Sequence, residues 1–144
     1  MNNNRINRTL SFFAAFLLPF AATAAETTVD EGDARSSAII GDALMQAARA
    51  KLAVSELVLT SDRWAGSNTE AGFKPEASSN YAVDIGENGA VTVHFAAAAG
   101  EALAGHELQL IPSRSAAEQG IVKWQCWSHG LAEQIIPEGC ESQP

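Results

Sequence analysis

Residues able to do covalent, metal or proton-transfer chemistry are few in this chain of 144 residues, and they lie far apart. The histidines are His94, His106 and His129, and the cysteines are Cys126 and Cys140. A zinc site would need the three histidines to converge from separate segments, because no HExxH or paired CxxC spacing brings ligands together locally. A nucleophilic hydrolase needs a base and an orienting acid beside an activated hydroxyl. No G-x-S-x-G turn is present, and no glycine-rich phosphate loop. Asp84 and His94 could share one face of a hairpin with serines nearby in sequence, but so generic a pairing does not define a triad. The expectation is a protein that is not an enzyme and holds no cofactor and no metal.

The cysteines have a simpler reading. In an exported chain an even count implies a disulfide, and two cysteines allow one intramolecular pairing, Cys126 with Cys140. A metal reading lacks ligands, since the histidine between them is His129 alone. A redox dithiol would place the cysteines two residues apart. Closing a segment of this length should contribute about 3 kcal/mol on the chain-entropy model. Recognition is then the chemistry left. Trp127 is expected to point away from the core at the mouth of the disulfide loop, followed by Ser128, His129 and Gly130. Trp127 and His129, with Trp64 in an earlier loop, are the candidate partner-binding residues, since buried aromatic anchors dominate interface energetics. Trp127 folding back over the sheet edge, and Trp64 tucking against the helix with Phe73, are the structural alternatives.

These residues need elements to carry them. Ser36 to Thr60 places apolar residues at Ile40, Leu44, Ala47, Val54 and Val58, flanked by Ala43, Ala50 and Leu57. That period keeps one face of a helix apolar, and the composition is rich in good helix formers. Asp33 and Ser36 are both available as N-caps. Asp42 and Glu56 read as solvated face. Ser61 to Asn80 carries Gly66, Gly72 and Pro75 and reads as a loop.

Tyr81 to Phe95 reads as a hairpin. A two-residue Asn88-Gly89 turn would set Ile85 against Thr92 and split the apolar residues between faces. A three-residue Glu87-Asn88-Gly89 loop with Gly89 left-handed pairs Ile85 with Val91 and Val83 with Val93, which keeps one buried face. It also puts Asp84 opposite Thr92 and Ala82 opposite His94. Ala96 to Gly105 reads as a connection. Glu107 to Ile111 is a strand with Leu108 and Leu110 inward, ended by Pro112. Ile121 to Trp127 is another, with Val122, Trp124 and Cys126 inward. The fold class is α+β: a long N-terminal helix packed on a roughly four-stranded antiparallel sheet, with a C-terminal disulfide loop.

Residues 1–25 are expected to be a secretory signal peptide. Arg5 and Arg8 precede the apolar run LSFFAAFLLPFAA, and small residues follow, with cleavage after Ala24 or Ala25. Residues 26–35 read as a flexible acidic leader and 36–144 as one globular domain. Removal of the first segment leaves seven basic side chains against 17 acidic ones, a net charge of −10. So acidic a surface repels a phosphate backbone, so neither nucleic acid nor anionic membrane is an expected partner. The mature protein is expected in the periplasm or outside a Gram-negative-type cell, as a monomer.

The helix containing AKLAVSEL, the Trp64 that follows it, the late sheet, Trp124-Gln-Cys126 and Ile136-Pro137-Glu-Gly-Cys140 together resemble the type IV pilins. The likeness covers roughly Ser36 to Cys140. In that family a W-x-C opens the C-terminal disulfide loop and a proline precedes the second cysteine. The resemblance implies a pilin-like head domain that works through protein partners of the pilus or envelope. Two departures accompany it. An ordinary signal peptide stands where the family has a short basic leader and a long apolar helix carrying a glutamate. Trp64-Ala65 stands where the family has Trp-Pro. The expected function is a soluble, exported pilin-like protein with a structural or interaction role in type IV pili, adhesion or a related secretion system. The alternative is a periplasmic or secreted module binding a small ligand through the Ser61–Asn80 loop and Trp64.

Overall fold

The computed structural model describes residues 31–115 and 121–143. The expected signal peptide, and the leader as far as residue 30, lie outside the described residues. Helix α1 spans Glu31–Ser61, and five strands follow: β1 Tyr81–Ile85, β2 Val91–Phe95, β3 Glu107–Arg114, β4 Val122–His129 and β5 Cys140–Gln143. They form one sheet in chain order, antiparallel throughout except that β5 runs parallel to β4. The architecture is therefore α+β, as read from the sequence, with five strands in a mixed sheet rather than four antiparallel ones.

The helix begins five residues before the expected start at Ser36. Glu31 and Asp33 sit in its first turn, where carboxylates offset the positive end of the helix dipole. Asp33 and Ser36 are thus inside the helix rather than caps, and Ser36 is buried. The face turned to the sheet carries Ile39, Ile40, Ala43, Ala47, Ala50 and Val54. Small residues dominate its middle, which lets the helix axis come close to β1 and β2. Leu44 and Leu57 pack at the margin of this core.

The first hairpin has the register expected of the three-residue loop. Ile85 pairs with Val91, Val83 with Val93, and Tyr81 with Phe95, all buried. Gly89 is left-handed at φ 75°, and Asn88 at φ 57° is as well. A Cβ on Gly89 would lie 2.8 Å from a Val54 methyl and 3.1 Å from the Trp64 ring, so the turn is locked beneath the helix. At the free edge of β1, Asn68 closes the backbone: its Oδ1 accepts from the Ile85 N–H at 2.6 Å. Its Nδ2 donates to Asp84 at 3.0 Å. Covering an edge strand in this way blocks unwanted pairing.

Pro112 does not end β3, which continues to Arg114 and pairs Pro112 with Trp124. Pairing with β2 stops at Leu110, so this part of β3 is an edge, where a sheet tolerates a residue without an N–H. The connection 96–106 holds Ala99 and Leu103, both buried in the core. The loop between α1 and β1 is pinned through Gln46. Its amide nitrogen donates to the Glu76 carbonyl at 3.1 Å and to the Tyr81 hydroxyl at 3.2 Å. Its oxygen accepts from the Glu76 N–H at 2.9 Å. Arg49 adds an exposed ion pair with the Glu76 carboxylate.

Candidate interaction surface

Strand alternation gives the sheet two faces, and the inner one is committed to α1. On the outer face the registers align two rows. One runs Ala82, His94, Glu107, His129 and Gln143, and the other Asp84, Thr92, Gln109, Trp127 and Glu141. Trp127 therefore points away from the helix, half-buried between Gln109 and Glu141. His129 is its neighbour on the same strand and lies opposite Glu107. Glu107 in turn meets His94, whose Nδ1 is 2.7 Å from its carboxylate, both groups close to half exposed. Asp84 and His94 share the outer face in the register expected from the sequence, Asp84 opposite Thr92 and His94 opposite Ala82, but each is engaged elsewhere, Asp84 by Asn68 and His94 by Glu107.

The disulfide lies on the inner side of β4, the strand that carries Trp127. Cys126 and Cys140 occupy matched positions on the parallel pair β4–β5, with Cα atoms 4.4 Å apart. The loop they close is packed down rather than free, since Leu131 and Ile135 are buried. Gly130, at φ 86°, lies so near the His106 ring that a Cβ there would approach Nδ1 to 2.3 Å. The bridge and these anchors fix the far end of β4, which carries Trp127 and His129.

Trp64 belongs elsewhere. It packs against the core beside Gly89 and Pro112, with the Arg114 guanidinium 5.6 Å from its ring centroid. Arg114 also pairs with Asp62. Arg114 and Gln109, the partner of Trp127, are separated by roughly 17 Å of strand. The structure thus brings Trp127 and His129 together and leaves Trp64 at the opposite end of the sheet. Ala65 and Phe73 from the same loop are also buried, so the loop fills core rather than lining a pocket with these side chains.

A cleft of about 290 Å³ opens between α1 and the disulfide, lined by Leu44, Lys51, Trp124, Glu138 and Cys140 among others. Lys51 extends over Trp124, its Nζ 5.3 Å from the ring centroid. Among the described residues no group of three or more His, Cys, Asp or Glu could hold a metal ion. No helix among them is long and apolar enough to cross a membrane. Sequence reasoning missed Glu107, Gln109 and Glu141 as neighbours of Trp127 and His129. The signal that could have found them is strand register, which needs the pairing partner of each strand to be known.

A family model for pilin, the bacterial filament protein, matches residues 34–141. Comparison with curated protein sequences finds no match.

Proposed function

The chain belongs to the pilin family, and on that premise we propose that it is an exported pilin-like protein that works through its surface. Its role is structural or interactive, in a type IV pilus, in adhesion or in a related secretion apparatus, and it is not an enzyme. The observation that carries this reading is the family match across helix, sheet and disulfide loop together. The arrangement of the outer face supports it. A rigid sheet, braced by the Cys126–Cys140 bridge, displays one large aromatic, Trp127, ringed by Gln109, His129 and Glu141. An aromatic held at low entropic cost and surrounded by polar groups suits a contact made with another protein. Export rests on the basic and apolar start of the sequence, and places the protein in the periplasm or outside the cell. The small-ligand alternative is less well supported, because Trp64, which it requires, packs against the core, and Ala65 and Phe73 of the same loop are buried in it.

The test is capture from the native envelope on the immobilised protein with its disulfide intact, read by mass spectrometry. Pilins or pilus-assembly proteins should be recovered, and a Trp127→Ala copy should recover much less of them. Recovery that is equal with the variant would move the contact off the outer face. Recovery of no envelope protein by either form would reduce the family match to a statement about fold.

A further inference from the structure

The face of α1 opposite the sheet is apolar on a different period from the face that packs. Met45, Leu52 and Leu59 recur every seven residues and are 70%, 60% and 59% exposed. Between and before them on the same side lie exposed Ala34, Gly41 and Ala48, and a half-buried Ser55. Met45, Leu52 and Leu59 therefore hold one seam position of a heptad, a row that the small Ala38 begins, and small residues hold the other. A seven-residue apolar repeat matches another helix and little else, because only a helix offers holes at that spacing. The row from Ala38 to Leu59 is about 32 Å long. Beside it, on one flank and also every seven residues, stand Arg35, Asp42, Arg49 and Glu56, all exposed and alternating in sign.

We propose that this face binds a second copy of the same chain, with the two α1 helices antiparallel. Shape selects the direction. In an antiparallel pair each large seam position meets a small one, whereas in a parallel pair large would meet large and small would meet small. Setting Met45 against Ala48 of the second copy puts Leu52 against its Gly41 and Leu59 against its Ala34. That register overlaps the two helices along almost their whole length. It also sets Asp42 beside Arg49 of the second copy and Arg35 beside Glu56, so every flanking pair is of opposite charge and is repeated by symmetry. A seam of this kind is self-complementary, as a two-fold interface must be. Arg35 already donates to the Ala98 carbonyl at 3.1 Å, and Arg49 pairs with Glu76, but both side chains are at the surface. A guanidinium has five N–H donors and can serve a second partner. The outer face of the sheet, with Trp127, remains free in this dimer. Such a dimer departs from the monomer expected from the sequence and requires no role in pili.

Sedimentation velocity on the purified, disulfide-intact protein expressed from the full reading frame tests it. A concentration-dependent dimer is expected, weakened as salt screens the flanking pairs. Leu52→Glu, a change at an exposed position that leaves the fold alone, should weaken it more than about tenfold by burying a charge in the seam. Reversing Arg35 to Glu should weaken the dimer, and adding Glu56→Arg should restore it. For direction, chains carrying Ala34→Cys mixed with chains carrying Leu59→Cys should cross-link through a short bismaleimide. In a parallel pair these positions are about 37 Å apart and would not. A protein monomeric at all accessible concentrations, a dimer indifferent to Leu52→Glu, or a failure of the mixed cross-link in a stable dimer each overturns the proposal.

Discussion

Two single residues show how little slack the core has. Gly89 combines a left-handed backbone with a Cβ position 2.8 Å from Val54. Gly89→Ala meets both penalties, and a loss of about 2–3 kcal/mol in urea unfolding is expected. Ser128 is the reverse case. It is fully buried on the inner side of β4, and its hydroxyl finds no hydrogen-bond partner among the described residues. A desolvated, unpaired hydroxyl costs stability, so Ser128→Ala should be neutral or stabilising by up to about 1 kcal/mol. A lower urea midpoint in that variant would show that the hydroxyl has a partner. At this scale the sequence was informative for Gly89, because parity of the flanking strands required a left-handed residue there. It was silent on Ser128, whose side chain is inward only because its strand alternates from Trp124 and Cys126.

Among the elements, the packing of β1 on α1 and the hold on the last strand each have a fastening that can be tested. Gln46 ties the loop through Glu76, and the Tyr81 hydroxyl ties β1 to α1 by donating to Asp42 at 2.6 Å. Burial first, and the Asp42 carboxylate second, push the Tyr81 phenol above its usual 10.0. The folded state therefore binds that proton more tightly than the unfolded chain. This contribution is complete below pH 10 and is lost as pH rises through the raised folded value. Tyr81→Phe should be less stable at neutral pH, and its stability should fall less steeply above pH 10 in a pH series of urea melts. The last strand, β5, has four residues, three of them exposed, and is bonded to β4 alone. Its tie is the disulfide. Reduction, or paired replacement of Cys126 and Cys140 by alanine, should cost about 3 kcal/mol. Amide exchange should accelerate first at Glu141 to Gln143. Exchange that accelerates evenly through the sheet instead would mean that β5 is held by its backbone pairing.

Over the whole molecule, charge and patterning divide the surface by use. The chain carries 17 acidic against nine basic side chains, and α1 holds only three basic ones, Arg35, Arg49 and Lys51, among four acids. A gel-shift titration with duplex DNA at low salt should therefore show no complex at micromolar protein. A shifted band would mean that the basic groups converge in a way the helix and sheet do not suggest. Two surfaces remain with the chemistry of protein contacts, the outer sheet face around Trp127 and the heptad face of α1. They lie on opposite sides of the molecule.

The sequence by itself determined the elements whose signals are local. The helix is legible because its apolar period is carried by consecutive turns, and the first hairpin because Val, Ile and Tyr alternate around a turn whose length parity constrains. The cysteine pairing is legible because two cysteines leave no choice. Tertiary structure decided what depends on neighbours distant in the chain. CESQ has no strand pattern of its own and is a strand because β4 and the Cys126–Cys140 bridge hold it in register. Pro112 remains in β3 because β2 ends beside it. Trp64 and Trp127 are the same residue type in loop and strand settings. One is packed with Gly89, Pro112 and Arg114 and the other is displayed with His129, because exposure is a property of what folds over a side chain and not of the side chain itself.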